Sequence, residues 1–211
     1  MARVVMIRHG EAGDLLGEYD LLSPRGWMQA RVLGQYYAKI WAPDRVVRGA
    51  MRRHRETLEG FSEAFDGLPD ATEDAGFNEF EHLPVIAHGS AMGLTPDRSF
   101  FLKAMMLWAE GGGEGESYAT FQARVEEAFA RVVAQATSGS TTLVFTSGGV
   151  IAAVCRSVLN LGPEQAFRLN GVIANGSVTT FRVGHGRVSL DTLNNAAAFD
   201  ADDALSVWAA R

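Results

Sequence analysis

The chain has 211 residues, of which 47% are hydrophobic and 21% charged, a composition typical of a folded globular protein and not of a disordered, fibrous or coiled-coil one. At this length one hydrophobic core can organise the whole chain, so we expect a single domain over residues 1–211 with an insertion at about residues 78–115. The formal net charge of −6 argues against wholesale nucleic-acid binding.

The lengths of the apolar runs argue against a membrane location, and the number of cysteines argues against an internal disulfide. The longest apolar runs, such as residues 151–155, are far shorter than the roughly 20 residues needed to cross a bilayer. The apolar run after Arg3 is too short for a signal peptide, so we expect a cytoplasmic protein. Cys155 is the single cysteine and lies in an apolar stretch, so we interpret it as a core residue.

The first third of the chain alternates predicted strands and helices. Residues Ala2–Ile7 form a valine-rich run, typical of a strand buried on both faces of a parallel sheet, and Asp44–Arg48 predicts a second, shorter strand. Ser23 followed by Pro24 predicts the start of a helix that runs to about Trp41. Helix-forming residues predict another helix from Met51 to about Phe65.

The middle of the chain is less regular. We interpret Ala71–Phe77 as a strand, Asn78–Leu94 as a long loop and Pro96–Trp108 as a helix that ends at the glycines of residues 111–113. No composition shift or linker isolates this stretch, which favours an insertion beside the sheet over a separate domain.

The last part of the chain returns to alternation. A helical pattern over Glu116–Ala136 is followed by a buried-type strand at Thr141–Thr146 and a helix at Val150–Leu159. The segments Ser177–Val183 and Arg187–Leu193 predict an antiparallel hairpin. Together these elements predict an α/β fold with a doubly wound, mostly parallel sheet flanked by helices, a small helical insertion and a C-terminal hairpin.

Three predicted strand ends carry residues suited to an oxyanion. Ligands of open α/β sheets lie beyond the carboxyl ends of the strands. The first strand ends at Arg8-His9-Gly10, the second leads into five arginines and His54 within residues 45–55, and the Thr141–Thr146 strand delivers Ser147-Gly148-Gly149 to a helix N-terminus. Cationic side chains and helix N–H groups suit phosphate. The arginine cluster is also compatible with a solvated helix face, and we interpret His54 and His185 as structural or solvated.

An ordered series of motifs extends this pattern along the chain. Arg8-His9-Gly10-Glu11 is followed by Asp20, Leu22-Ser23, Gly26 and Gln29-Ala30, and then by residues 49–57 with Arg53 four positions before Thr57. The series continues with Phe77-Asn78-Glu79, with Gly115-Glu116-Ser117 leading to Arg124-Val125, and with Ser147-Gly148-Gly149-Val150. Over residues 3–160 it resembles the histidine phosphatase superfamily, also called the phosphoglycerate mutase-like family.

The resemblance implies a role for each matching residue. His9 is the implied nucleophile, whose neutral imidazole attacks phosphorus to give a phosphohistidine, while Arg8 and Arg53 hold the phosphoryl oxygens. Glu79 is the implied proton donor to the departing oxygen. No metal and no other cofactor is implied. Three neighbouring carboxylates compete with Glu79 for its role: Glu73, Asp74 and Glu81.

Ser147 departs from the family pattern, which normally has a second histidine there. Loss of such a donor typically costs about 10²–10³ in turnover. Two features compensate in part for this loss: Ser147 can cap the following helix, and Gly148 and Gly149 let backbone amides approach an anion. We therefore assign Ser147 and Gly148 to substrate binding, together with Gly10 next to His9. Two other histidines are candidates to replace the missing one: His82 and His88.

The sequence thus predicts a phosphatase-like hydrolase of a phosphomonoester with reduced activity. The alternative is a catalytically impaired, phosphate-binding protein of the same fold with a regulatory or scaffolding role. A mutase is not expected, because residues 12–19 lack the tryptophan-asparagine pair of the family's mutases. The expected partner is a small phosphorylated molecule or a phosphate anion, not nucleic acid or a membrane. The substrate is not indicated by any motif between Leu83 and Gly115, and the oligomeric state stays open between a monomer and a homodimer.

Overall fold

A computed structural model describes residues 1–13, 20–200 and 205 of the chain, so residues 14–19 of the segment that lacks the mutase pair lie outside the described residues. Its described part contains a six-stranded sheet in the order β3-β2-β4-β1-β5-β6. Neighbouring strands among the first four are parallel, whereas β5 runs antiparallel to both β1 and β6. The strands are β1 Ala2–Arg8, β2 Arg45–Arg48, β3 Ala71–Glu73, β4 Thr141–Thr146, β5 Val178–Gly184 and β6 Arg187–Asn195.

Helices cover both faces of this sheet, because successive side chains of a strand point to opposite sides. Val4 and Met6 of β1 belong to one hydrophobic cluster and Val5 and Ile7 to the other. The first cluster includes side chains of α3 to α7 and the second includes side chains of α1 and α2. The helices are α1 Pro24–Tyr37, α2 Arg52–Ser62, α3 His82–Ala91, α4 Phe100–Ala109, α5 Tyr118–Ala134, α6 Gly148–Leu159 and α7 Pro163–Asn170.

Several local predictions are confirmed. The Ser23 hydroxyl accepts a hydrogen bond from the Gly26 amide (3.1 Å) and caps α1, which begins at Pro24. The hairpin of β5 and β6 turns at His185 and Gly186, whose φ angles of 54° and 72° match the left-handed pair of a type I′ turn. Cys155 is fully buried in the core, and burial raises the pKa of its thiol to about 12.

The predicted loop over Asn78–Leu94 is wrong, because α3 occupies its centre. Pro84 lies in the first turn of α3, where proline is tolerated, and Gly89 is a weak helix former. A Cβ at Gly89 would lie 2.8 Å from the Cβ of Ala104, so the glycine lets α3 pack closely against α4. Packing, which is invisible in the local pattern, therefore stabilises this helix.

Other elements also differ from the prediction. The strand expected over Ala71–Phe77 ends at Glu73 and is followed by a short 3₁₀ turn at Ala75–Phe77. Helix α4 starts at Phe100 instead of Pro96, because the Asp97 carboxylate accepts hydrogen bonds from the Ser99 amide and hydroxyl in a local turn. Helix α7 was not predicted, although Pro163 stands at its first position. Among the described residues no helix is both long and apolar enough to span a bilayer.

Candidate active site

The carboxyl ends of β1, β2 and β4 lie side by side and place three segments at one edge of the sheet. Strand β4 lies between β1 and β2, with Arg8 opposite Thr146 and Arg48 opposite Phe145. The His9 amide continues the ladder by donating to the Thr146 carbonyl (2.9 Å). The predicted convergence of these strand ends is therefore present.

His9 is held as a neutral imidazole with a defined tautomer. Its Nδ1 lies 2.7 Å from the Gly10 carbonyl oxygen. Because a carbonyl only accepts, Nδ1 carries the hydrogen and Nε2 keeps a lone pair. Burial, followed by the charges of Arg8 and Arg53 and by His54, holds the pKa of His9 well below its usual 6.5. The ring is therefore poised as a nucleophile through Nε2.

The backbone around His9 is fixed by neighbouring side chains. The Gly10 amide donates to Thr57 Oγ1 (3.1 Å), and this hydroxyl donates to the Arg53 carbonyl (2.7 Å). A Cβ at Gly10 would lie 2.4 Å from the Gly26 carbonyl oxygen, so only glycine allows the start of α1 to approach this closely. The Gly10 amide is thus engaged within the protein, and contact of Gly10 with substrate stays a prediction.

The charges of two arginines act on His9. Arg53, in the first turn of α2, is 2% exposed and donates to Asp20 Oδ1 (2.9 Å). The second Asp20 oxygen accepts the Arg52 amide (2.9 Å), which ties the loop before α1 to the start of α2. Arg8, half-buried at the end of β1, donates to the Ile173 carbonyl. Both guanidinium charges act on His9 and on Glu79, so a phosphoryl group beside His9 would meet two cations.

The other arginines of residues 45–55 contribute less to the site. Three of them form ion pairs with carboxylates of their own surroundings: Arg48 with Glu73, Arg52 with Glu56 and Arg55 with Glu59. Most arginines of this cluster are therefore paired with neighbouring carboxylates, whereas the Arg53 side chain is buried in the protein.

Glu79 lies at the N-terminus of α6, where its carboxylate accepts hydrogen bonds from the Gly149 amide (2.9 Å) and the Phe80 amide (3.3 Å). Burial raises the pKa of Glu79 above 4.5, and these hydrogen bonds and the two arginines oppose the shift. A Cβ at Gly149 would lie 2.2 Å from Glu79 Oε1, so the glycine makes room for the carboxylate. Glu79 is therefore a half-buried acid with an increased tendency to keep its proton.

The competing carboxylates are directed elsewhere. Glu73 pairs with Arg48 and Asp74 pairs with Arg131, each at 2.8 Å. Glu81 lines a more open pocket beside Arg53 and Asp20. This arrangement favours Glu79 as the acid.

Ser147 differs from its prediction. It occupies the N-cap position of α6, but its hydroxyl makes no capping hydrogen bond. Instead its Oγ lies 2.7 Å from Nε2 of His54, and both residues are fully buried. The Gly149 amide, which we predicted would approach an anion, donates to Glu79.

The sequence prediction interpreted His54 as structural or solvated, and the structure shows it to be fully buried and hydrogen-bonded. Its ring centroid lies 5.9 Å from that of His9. The available signal is its spacing, since His54, Thr57 and Phe61 recur at three- and four-residue steps and form the buried stripe of α2. Of the two histidines predicted as substitutes, His82 lines a pocket beside Arg53, whose charge, after burial, lowers the pKa of His82, whereas His88 packs against Gly112.

A pocket of about 580 Å³ opens beside Arg53 and Asp20. We call it the outer pocket. It combines apolar and polar side chains, and in addition to Arg53 and Asp20 it is lined by Met51, Phe80, Glu81, His82, Leu83 and Pro84. Within the described ranges, no three His, Cys, Asp or Glu side chains are grouped so as to hold a metal ion.

Comparison with known proteins gives one family. The model of the histidine phosphatase superfamily, branch 1, matches residues 4–196. No curated protein matches the chain.

Solved structures share its fold. A mutant phosphoserine phosphatase from Entamoeba histolytica in complex with phosphoserine is 20% identical, with a TM-score of 0.69 over 94% of this chain and 99% of that one. A mycobacterial hydrolase is 25% identical, with a TM-score of 0.69 over 92% and 98% of the two chains. A mycobacterial glucosyl-3-phosphoglycerate phosphatase with inorganic phosphate is 24% identical, with a TM-score of 0.66 over 93% and 98%.

Proposed function

Since the chain belongs to the histidine phosphatase superfamily, we propose that it hydrolyses a phosphomonoester through a phosphohistidine on His9. The observation that carries the proposal is the state of His9. Its imidazole is neutral, its hydrogen is fixed on Nδ1 by the Gly10 carbonyl, which leaves the lone pair on Nε2, and the charges of Arg8 and Arg53 both act on the ring. A nucleophile with a lone pair beside two cations is the arrangement that attack on a phosphoryl group requires.

In the first step, the Nε2 lone pair of His9 forms a bond to phosphorus while the bond from phosphorus to the ester oxygen breaks. The protonated Glu79 carboxyl gives its proton to the departing oxygen, which leaves as an alcohol. Arg8 and Arg53 stabilise the charge on the remaining phosphoryl oxygens, and their fixed positions avoid the cost of reorganising solvent.

In the second step, water replaces the alcohol. The Glu79 carboxylate takes a proton from the water as its oxygen attacks phosphorus, and the bond between phosphorus and Nε2 breaks. Phosphate leaves, and His9 returns to its neutral form. Glu79 therefore acts as an acid and then as a base, for which a pKa raised toward neutrality is suited.

A catalytically impaired phosphate-binding protein is the second candidate, and two observations favour it. Ser147 replaces a histidine of the family pattern, and the Gly149 amide donates to Glu79 instead of facing the anion position. In that case the arginines bind phosphate, but turnover is slow.

The two candidates are separated by turnover of p-nitrophenyl phosphate. We expect the parent protein to release nitrophenolate and to carry one added phosphoryl group on His9 after acid-free quenching, as seen by mass spectrometry. The His9→Ala variant should show neither. His185→Asn, in the exposed β5–β6 turn, is the matched histidine control and should behave as the parent.

If the parent turns over p-nitrophenyl phosphate no faster than His9→Ala, the proposed enzymatic function is contradicted. Phosphate binding measured by calorimetry, weakened in Arg53→Ala, would then support the second candidate.

A further inference from the structure

We infer that His54 is a positioning residue for phosphoryl transfer, holding the Ser147 hydroxyl as a hydrogen-bond donor to the phosphoryl group beside His9. The inference rests on the proposed function, because it concerns the same site. The buried His54 imidazole has no role in the two proposed steps of phosphomonoester hydrolysis, and the inference gives it one.

The first support is the contact itself. His54 extends from α2 and Ser147 follows β4, 93 residues later in the chain, yet His54 Nε2 and Ser147 Oγ lie 2.7 Å apart. Both residues are completely excluded from solvent. Buried polar side chains are costly unless they are hydrogen-bonded, so this pair holds two elements in a fixed relation at the edge of the site.

The protonation state of His54 decides the direction of that hydrogen bond. Burial and the charges of Arg53 and Arg48 hold the pKa of His54 well below 6.5, so the ring is neutral and carries one hydrogen. Its Nδ1 faces Gly49, where an added Cβ would lie 2.3 Å away, and has no hydrogen-bond partner in the described part of the chain. Because buried N–H groups are rarely left unpaired, the hydrogen belongs on Nε2, which donates to Ser147.

A serine oxygen that accepts a hydrogen bond keeps its own hydrogen for another acceptor. The Ser147 oxygen is not used to cap α6, so its orientation is set by His54. The next residue, Gly148, lies against Arg8, since a Cβ there would be 3.4 Å from Arg8 Nε. The His54 ring lies 5.9 Å from the His9 ring. The contact between His54 and Ser147 thus lies close to Arg8 and His9, which the proposed function assigns to the phosphoryl group.

This arrangement gives the departure at position 147 a physical meaning. An imidazole is present beside His9 after all, but it comes from α2, and the Ser147 hydroxyl connects it to the anion. A neutral donor held in place in a water-excluded site can stabilise charge that develops on a phosphoryl oxygen. Loss of the His54 imidazole should affect kcat more than KM, because the phosphoryl oxygen gains charge as the reaction proceeds.

The first test measures kcat, KM and phosphate affinity for Ser147→Ala, His54→Ala and His54→Gln, with His185→Asn as the matched control. We expect kcat to fall by about 10²-fold in Ser147→Ala and by about 10–100-fold in His54→Ala, with a smaller change in KM. His54→Gln should retain more of kcat than His54→Ala, because its amide can donate to Ser147 Oγ. If His54 had only a structural role, its variants would lower the melting temperature, and kcat would not be higher in His54→Gln than in His54→Ala. If His54→Ala does not fold, His54→Met, which has similar bulk and no donor, takes its place.

The second test moves the imidazole back across the contact. Ser147→His alone should be unstable, because His54 already occupies the neighbouring space. In the His54→Ala background the new ring has room, so the double variant should recover to within about tenfold of the parent kcat.

Two results would overturn the inference: a folded His54→Ala with the parent's kcat and phosphate affinity, or a folded double variant no better than His54→Ala. If the parent is no more active than His9→Ala, the proposed function fails separately. The affinity for orthovanadate, which mimics the five-coordinate phosphorus of the transition state, then decides the role of His54, since equal vanadate binding by the parent and a folded His54→Ala contradicts it.

Discussion

The proposed phosphoryl site and the outer pocket differ in how the chain builds them. The phosphoryl site, formed by Arg8, His9, Arg53, Glu79 and Ser147, collects residues from the ends of three strands and from the segment before α3, and hydrogen bonds hold each residue. The outer pocket depends largely on residues 80–84, and Leu83 is 67% exposed. Elements distant in the sequence thus hold the residues of the proposed phosphoryl site, whereas one short segment supplies most of the lining of the outer pocket.

The largest effect predicted within the phosphoryl site, short of removing His9, concerns Glu79. As a general acid it must be protonated, so kcat should fall as the pH rises through its raised pKa, and Glu79→Gln should remove this alkaline limb. Because His9 must be neutral and its pKa is lowered, the acid limb should lie below about pH 6.5. With an alkyl phosphate we expect Glu79→Gln to lose about 10²–10⁴ in kcat.

The leaving group supplies the control for this prediction. Nitrophenolate departs without a proton. The fall in kcat caused by Glu79→Gln should therefore be much smaller with p-nitrophenyl phosphate than with an alkyl phosphate. Glu81→Gln, two residues away in the outer pocket, should keep the alkaline limb. An equal loss with both substrates would show that Glu79 is not the acid.

The second prediction compares two adjacent arginines of α2. Arg53→Ala should lower kcat/KM by about 10²–10³ and weaken phosphate binding, because a buried cation is removed from the phosphoryl site. Arg52→Ala is the matched control, since this side chain is half exposed and pairs with Glu56. Similar losses in the two variants, measured by steady-state kinetics and calorimetry, would assign the effect to helix stability instead.

The difference between the two regions also explains what the sequence could predict. His9 lies at the end of a continuous apolar strand and Arg53 stands four residues before Thr57, so strand patterning and motif order were sufficient for both. Helix α3 was missed because Pro84 and Gly89 are poor helix formers, and its packing against Ala104 of α4 depends on a distant segment.

His54 could not be assigned for a related reason. Within a run of arginines a lone histidine gives no indication of which way it points, and its partner Ser147 is 93 residues away. Helical spacing from Thr57 and Phe61 predicts burial, but only the three-dimensional contact indicates a role.

A third prediction uses stability to test the burial of that imidazole. The pKa of His54 is lowered in the folded protein, so below about pH 6.5 the unfolded chain binds more protons, and folding stability is lost as the pH falls. Each such histidine contributes a slope of up to about 1.4 kcal/mol per pH unit. Glu79, whose pKa is raised, contributes with the opposite sign, but it is present in both proteins of the comparison.

The measurement is urea unfolding of the parent and of His54→Gln between pH 5 and 7, a range chosen around the ordinary histidine pKa of about 6.5. The slope should decrease in the variant and stay unchanged in His185→Asn, whose ring is exposed. An unchanged slope in His54→Gln would mean that the ring is not held neutral in the folded protein.

The smallest predicted effect belongs to the outer pocket and tests whether its exposed apolar residues act separately from the proposed phosphoryl site, with which the pocket shares Arg53. Leu83 lines this pocket and is exposed, so Leu83→Ala removes apolar contact with a leaving group without disturbing buried residues. We expect KM for aryl phosphates to rise about two- to tenfold, in line with the few methylenes removed, while kcat and inorganic phosphate affinity stay as in the parent. Leu193→Ala, an exposed leucine on β6, is the control. A fall in kcat of the same size as the rise in KM would mean that residues 80–84 also position Glu79, and the two regions would then act as one.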